Sequence, residues 1–445
     1  MKLTGSSKIH LAPDPGHAAG CLFQNEYFTH GILLALPRVS SSCDFEDSLL
    51  PAENLPGRGR EVMVLMFRVR KNPIFQREVL GAAVLHVRSG RATSRTTLAR
   101  ELGISPSTTG QYVDRLIAER LLDESGINQG PMGRPRRILK TRPEAGWFAG
   151  VEFSAQRVQA VGVDFSGRVV AVVTRTLPAE VNANMVIQTI LASVLKLAES
   201  MSGPLISVGL GVPGLVDPQA GLGILFTFIP DWKQIPVVER VAAKLGVPVI
   251  LQGSLRVIAL AERWFGLGHD LNDYVILGPR SGFGIAMVQQ GRVVEGAHHA
   301  AGEVGRWPWP LGGGKAGSQE LHHALSAPAT WRRLSGLPAH APLPEDLRPA
   351  VAALAQTAGP EWEAVCEDYA RVVGCVQLLT DTELFILHGP LTELGERFCE
   401  SITIAVRGLF PSLADAPPRL VPSQLGDEAG ALGAASLAME SWAPA

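Results

Sequence analysis

Long hydrophobic runs, paired cysteines and an even spread of charge are what this 445-residue sequence lacks. No apolar stretch approaches the roughly 20 residues that span a bilayer, so no membrane partner is expected. No basic start leads into an apolar stretch either, which argues against a secretory signal and for a cytoplasmic location. The five cysteines (Cys21, Cys43, Cys366, Cys375, Cys399) are odd in number and scattered, with no Cys-x-x-Cys pair. That usage suits a reducing compartment and provides neither a disulfide framework nor a zinc knuckle.

What is present fits a soluble globular protein, with 46% apolar and 18% charged residues and room for two or three domains. The net charge of -2 conceals an asymmetry. From Lys71 to Arg142 there are 13 Lys and Arg against six Asp and Glu, a local +7 that leaves -9 for the rest. A basic block on an otherwise acidic chain points to a polyanion partner for that block alone.

Three segments follow from composition and periodicity. Residues 1–60 are rich in Gly, Pro and Ser, with turns at Pro13-Asp14-Pro15-Gly16 and Pro56-Gly57-Arg58-Gly59, and read as a dispensable, disordered extension. Residues 61–143 hold the basic block. From 144 to 445, strand-like runs alternate with helical periods. Phe148 to Phe153, Gln159 to Asp164 and Val169 to Thr174 read as strands. Ile187, Ile190, Leu191, Val194 and Leu195 make an apolar helical stripe. Strands at Ile206 to Gly211, Pro248 to Gln252, Leu384 to Leu387 and Arg419 to Val421 continue the theme. Two α/β lobes are expected, without a visible sequence repeat.

The basic block has the order of a winged helix-turn-helix. Val79, Leu80, Val84 and Leu85 form one face of a first helix. A short second helix follows Ser94 as N-cap and stops at Gly103. The third opens with Ser105 as N-cap and Pro106 at its first position. Thr109, Val113, Leu116 and Ile117 face inward, leaving Ser107, Thr108, Gln111 and Arg115 outward, where Gln suits adenine and Arg suits guanine. Arg95 on the second helix joins this candidate DNA-binding set. A Gly133-Arg134-Pro135-Arg136-Arg137 tip between two strands makes a wing whose Arg134, Arg136 and Arg137 suit phosphates or a narrow minor groove.

Several ordered stretches then resemble the ROK family, which contains sugar kinases and sugar-responsive repressors on an actin/hexokinase-like fold. They are Gly209-Leu-Gly-Val-Pro-Gly-Leu-Val-Asp217, Pro248 to Glu262, Gly282 to Gly296, Ala301-Gly302-Glu303-Val304-Gly305, and Leu425 to Ala435. The resemblance runs from about Arg77 to the C-terminus, including the head that the family's repressors carry. It implies a winged helix-turn-helix followed by a two-lobed α/β domain for effector binding and oligomerisation.

The departures from the family pattern bear on activity. The kinase Asp-x-Gly-Gly-Thr phosphate loop corresponds to Glu152-Phe153-Ser154-Ala155-Gln156, which holds no glycine. Ser254 stands at the catalytic aspartate, and a serine hydroxyl is too weak a base to replace a carboxylate. The second phosphate loop becomes Arg280-Ser281-Gly282-Phe283-Gly284. Phosphoryl transfer depends on positioning and charge stabilisation, so no kinase activity and no cofactor are expected. The family's zinc-binding Cys-x-Cys-Gly-x-x-Gly-Cys-x-Glu aligns with Leu311 to Glu320, without a thiolate, and its histidine with Arg306. Adjacent histidines point apart, so His298-His299 and His322-His323 read as surface or packing residues, and no metal is expected.

Glu303 and Glu320 survive by position as sugar-contacting carboxylates, beside Ser254, Arg256, Arg280 and Arg306. The cleft has thus moved toward basic. One reading is an anionic effector, a sugar phosphate or sugar acid, held by arginine forks. Another is that the arginines pair with Glu303 and Glu320 and close the cleft. A neutral hexose has lost two of its expected partners. The expected protein is a repressor of carbohydrate genes that binds a double-stranded DNA operator as a homodimer or homotetramer. An active sugar kinase and an effector-independent DNA-binding protein are the alternatives.

Overall fold

The computed structural model describes residues 73–128, 136–310 and 319–444. The expected extension 1–60, Arg134 at the wing tip and the glycine-rich stretch 311–318 lie outside the described residues.

Three helices, α1 (Pro73–Arg88), α2 (Arg95–Leu102) and α3 (Pro106–Ala118), lead into an antiparallel hairpin of β1 (Leu122–Asn128) and β2 (Arg136–Thr141). Local chemistry sets their limits. The Ser94 side chain accepts from the Thr97 amide and Thr97 returns the bond, a reciprocal cap, and Gly103 ends α2 at φ 62°. Ser105 accepts from the Thr108 amide, with Pro106 at the start of α3. The inward face of α1 differs from expectation. Leu80, Ala83, Val84 and Val87 are buried, whereas Val79 and Leu85 are only half-buried. Neighbours on a helix point about 100° apart, and the spacing i, i+3, i+4, i+7 selects the stripe that starts at Leu80.

The N-terminal lobe comprises β3 (Trp147–Phe153), β4 (Arg157–Asp164), β5 (Val169–Thr176), α4 (Ala183–Ala198) and β6 (Leu205–Val212). A small lip of β7 (Leu215–Asp217), β8 (Leu222–Leu225) and β9 (Lys233–Ile235) follows. Then come α5 (Val237–Leu245) and β10 (Val249–Gly253). The main sheet runs β10-β6-β3-β4-β5, with β10, β6 and β3 parallel and β3, β4 and β5 antiparallel.

Helix α6 (Ser254–Phe265) crosses to the C-terminal lobe. There lie β11 (Tyr274–Leu277), β12 (Ile285–Gln289), β13 (Arg292–Val293), and the two-residue ladder of β14 (Pro308–Trp309) and β15 (Gln319–Glu320). Helices α7 (His322–Leu325), α8 (Ala327–Leu334), α9 (Leu347–Ala352) and α10 (Pro360–Thr380) precede β16 (Leu384–Leu387), α11 (Gly395–Leu409) and β17 (Leu420–Pro422). Its sheet, read β17-β16-β11-β12-β13, repeats the order and polarity of the first. The lobes are therefore structural duplicates, a repeat that strand pairing reveals and side-chain identity does not.

The last helix, α12 (Ala429–Glu440), packs on β3, β6 and α6 and is buried along most of its length. Glycine permits that approach: a Cβ on Gly209 of β6 would lie 1.8 Å from the Ala434 carbonyl oxygen. One apolar cluster joins Leu80, Val84, Leu98, Val113 and Leu116 of the three helices to Phe148, Phe165, Ile258 and Ala435 of the lobes. The head thus shares a core with the lobes.

Candidate effector cleft and nucleic-acid interface

The outward face of α3 carries Ser107, Gln111 and Arg115, all exposed. Arg115 pairs with Glu119 one turn on at 2.7 Å. Thr108 is half-buried, its hydroxyl 2.8 Å from that of Ser105, so its side chain serves the cap. Arg95 is held by partners within the head. Its Nε and Nη2 donate to the two Glu124 oxygens at 2.9 and 3.0 Å, and Nη2 lies 2.7 Å from Asp114. Hydrogen bonding to Glu124 holds its pKa above the ordinary arginine value. Arg95 therefore ties α2 to α3 and to the wing. Arg137 is exposed on β2, and Arg136 opens that strand opposite Asn128.

A cleft of about 350 Å³ opens between the lobes, lined by Ser254, Arg256, Arg280, Glu303, Arg306 and Glu320 together. Phe226 and Phe228 beside the lip, and Phe283 across from them, add apolar walls. Ser254 heads α6, and its buried hydroxyl has no hydrogen-bond partner among the described residues. Ser254 is itself one of the residues that line the cleft, so this orphaned hydroxyl lies beside it.

The arginines differ sharply from one another. Arg256 is buried and donates to Gln252 Oε1 at 3.0 Å and to the carbonyls of Glu295, His299 and Ala301 at 3.3, 2.6 and 3.1 Å. It fixes the 295–301 loop, and burial lowers its pKa. Arg280 reaches Glu152 at 2.7 Å. Burial alone would lower its pKa, but the Glu152 carboxylate raises it on balance. Only Arg306 is exposed to the cleft, 3.7 Å from Glu303. Burial raises the Glu303 carboxyl, and Arg306 and Arg256 act against that rise. The arginines therefore do not close the cleft onto Glu303 and Glu320; two of the three are bound elsewhere.

Burial pushes the thiols of Cys366 and Cys399 up to about 12, inside the C-terminal lobe's core, so neither is a ready thiolate. Contrary to expectation, the rings of His322 and His323 approach to 4.8 Å, with His322 Nε2 at 2.9 Å from Glu320 Oε2. One ligand atom from each of the three lies within 4.8 Å of the others, at the cleft rim. Short α7 starts at this point, and its first turn brings neighbouring side chains together.

Partners remote in sequence escape a linear reading. Glu152, 128 residues from Arg280, and Asp427, which accepts from Arg157 and Arg348 at 2.7 and 2.6 Å, are the two that matter here. Burial opposes ionisation of Asp427, yet those two arginines hold its carboxyl below the ordinary value.

A winged helix-turn-helix on a duplicated two-lobed α/β domain with an interlobe cleft defines the class. Residues 148–441 match the ROK family, and the chain belongs to it. A xylose repressor of Bacillus subtilis is 26% identical over 242 residues, 53% of this chain and 62% of that protein. A putative xylose repressor of Caldicellulosiruptor is 25% identical over 48% of this chain and 54% of its own length. The chain thus spans about half to three-fifths of these relatives. A glucokinase of Thermotoga maritima is 26% identical over 65% of this chain and 96% of its own. In fold, a ROK family transcriptional regulator described as a homolog of E. coli MLC superposes with TM-score 0.69, covering 82% of this chain and 96% of that one at 19% identity. Among the described residues no helix is long and apolar enough to cross a membrane.

Proposed function

We propose that this protein is a sugar-responsive transcriptional repressor of carbohydrate genes, acting in the cytoplasm as a homodimer or homotetramer on double-stranded operator DNA. The observation that carries this reading is α3, which buries Thr109, Val113 and Leu116 and turns Ser107, Gln111 and Arg115 outward. Those are the side chains suited to base edges in a major groove. Repressors among the relatives support it.

The effector that fits the cleft best is a neutral sugar. Arg256 and Arg280 are committed to protein partners, which removes two of the three forks that an anion would need. What remains is the Ser254 hydroxyl, carboxylates at Glu303 and Glu320 that accept from sugar hydroxyls, and phenylalanine walls for the C–H faces. Non-enzymatic action rests on Ser254 at the base position and on the Arg280–Glu152 pair, which joins the two altered phosphate loops.

Selection of fragmented source DNA on the purified protein, followed by sequencing, tests the reading. An inverted repeat upstream of carbohydrate genes is expected, and no enrichment at low salt would overturn it. Thermal shift against neutral sugars, sugar phosphates and sugar acids then tests the cleft. A shift by neutral sugars alone is expected; no shift at all leaves an effector-independent DNA-binding protein. Hexose-dependent ATP turnover in a coupled assay would restore the kinase.

A further inference from the structure

One helix lies against Glu152, the partner of the cleft-lining Arg280, at its first turn and against the head at its last. At the start of α12, a Cβ on Gly430 would fall 2.7 Å from the Glu152 carboxyl carbon, and Glu152 is the residue that holds Arg280. Two residues before the helix, Asp427 takes Arg157 from the N-terminal lobe and Arg348 from the C-terminal lobe. Both lobes therefore grip this end. The body of the helix has no slack: a Cβ on Gly433 would stand 1.6 Å from the Val257 carbonyl oxygen of α6.

At the far end, Glu440 pairs with Arg263 at 2.8 Å and accepts from the Trp264 indole at 2.6 Å. Arg88, the last residue of α1, reaches the same place from the head. Its Nη1 donates to the Met439 carbonyl at 3.2 Å and its Nε to the Phe165 carbonyl at 2.9 Å. Its guanidinium carbon lies 4.9, 4.6 and 5.9 Å from the ring centroids of Phe148, Phe165 and Trp442. Nη2 has no hydrogen-bond partner among the described residues, and burial brings the pKa down to about 9. A buried cation with an orphaned donor is a poor device for stability alone, because an apolar side chain fills such a space without the desolvation penalty. A planar fork instead fixes two carbonyls from separate elements at once.

We propose that Arg88 and α12 form the element that couples the cleft to the DNA-reading head, with Arg88 fixing α1 to the end of a helix whose start both lobes hold. The inference rests on the reading of this protein as an effector-controlled DNA-binding protein. A ligand that favours one lobe arrangement shifts the Glu152 and Asp427 contacts. Helix α12, about 18 Å long at 1.5 Å per residue, moves as a rod because its packing permits only discrete arrangements. Helix α1 follows because Arg88 and the close approach of Gly81 to the Trp442 carbonyl leave it no independent freedom. Arg88 is a positioning residue and acts through α1.

Hydrogen exchange on the full chain tests the coupling, read at peptides from α1 in wild type, Arg280→Gln, Arg88→Met and the double variant. Arg280→Gln should speed α1 exchange by about threefold or more, the scale of a resolvable coupling between networked residues. The same change should add nothing in the Arg88→Met background, where α1 already exchanges faster. Arg88→Lys, which keeps charge and loses the fork, should behave like Arg88→Met. Unchanged α1 exchange in Arg280→Gln, or an equal increase in both backgrounds, overturns the proposal. If Arg88→Met does not fold, Trp442→Leu supplies the uncoupled background. The readout uses neither DNA nor sugar, so a failure to recover an operator strikes the proposed function and leaves this result standing.

Discussion

Arg280 Nη1 and Glu152 Oε1 lie 2.7 Å apart, joining the loop after β11 in one lobe to β3 in the other. The family resemblance sets both residues in stretches aligned with kinase phosphate loops, and here they pair with each other. Glu152 is only 2% exposed, and Arg280 is its ion-pair partner.

Removing one member of a buried pair strands the other, which costs about 3 kcal/mol. Glu152→Ala should therefore lower the urea midpoint markedly. The joint change Glu152→Leu with Arg280→Met should recover most of the loss, since an apolar pair leaves no charge behind. Equal midpoints for Glu152→Ala and wild type would show that the pair carries no stability.

Arg95 and Arg137 should separate on DNA. Arg95→Ala breaks the link to Glu124 and Asp114, so the head should melt earlier while the salt dependence of DNA binding keeps its slope. Arg137→Ala should leave melting unchanged and reduce that slope by about 1, as expected for a lost phosphate contact. Binding titrations across a salt series read both, and a changed slope for Arg95→Ala would return that residue to the DNA interface.

Gln111 is the residue on α3 best suited to read an adenine. Gln111→Ala should weaken operator binding by about 1 to 3 kcal/mol and leave random duplex nearly unaffected. Fluorescence anisotropy on both duplexes checks this, and equal losses would remove Gln111 from base recognition.

The parts of this protein legible in its sequence are those decided locally. Ser94, Gly103, Ser105 and Pro106 place helix ends because capping involves neighbours within a turn. The strands from Phe148 to Thr174 are legible because their apolar runs are bounded by turns. The roles of Arg256 and Arg280 were not legible, since apart from Gln252 their partners come from chain segments 39 to 128 residues away. Charge shows in a sequence, whereas what neutralises it depends on the fold. The six cleft residues line one pocket, but the partners that hold two of its three arginines, loop carbonyls for Arg256 and Glu152 for Arg280, do not show in their identities. Arg88 was missed for a related reason. A basic residue at a helix end reads as a solvated cation until Phe148, Phe165 and Trp442 are seen around it.

Glu262 provides a pH test independent of ligand and DNA. It is fully buried on α6, and burial raises its carboxyl above the ordinary value of 4.5, opposed by bonds from the Ser423 hydroxyl and the Leu267 amide. The folded protein therefore binds this proton more tightly than the unfolded chain. The stability that Glu262 contributes is complete below about pH 4.5 and is lost as pH rises through the folded-state pKa. Glu262→Gln mimics the protonated side chain at every pH. Its apparent melting temperature should accordingly gain on wild type as pH rises from about 4.5 and level off once wild-type Glu262 is ionised. A difference that stays constant from pH 4.5 to 8 would mean that Glu262 titrates alike in both states, and that burial does not govern its protonation.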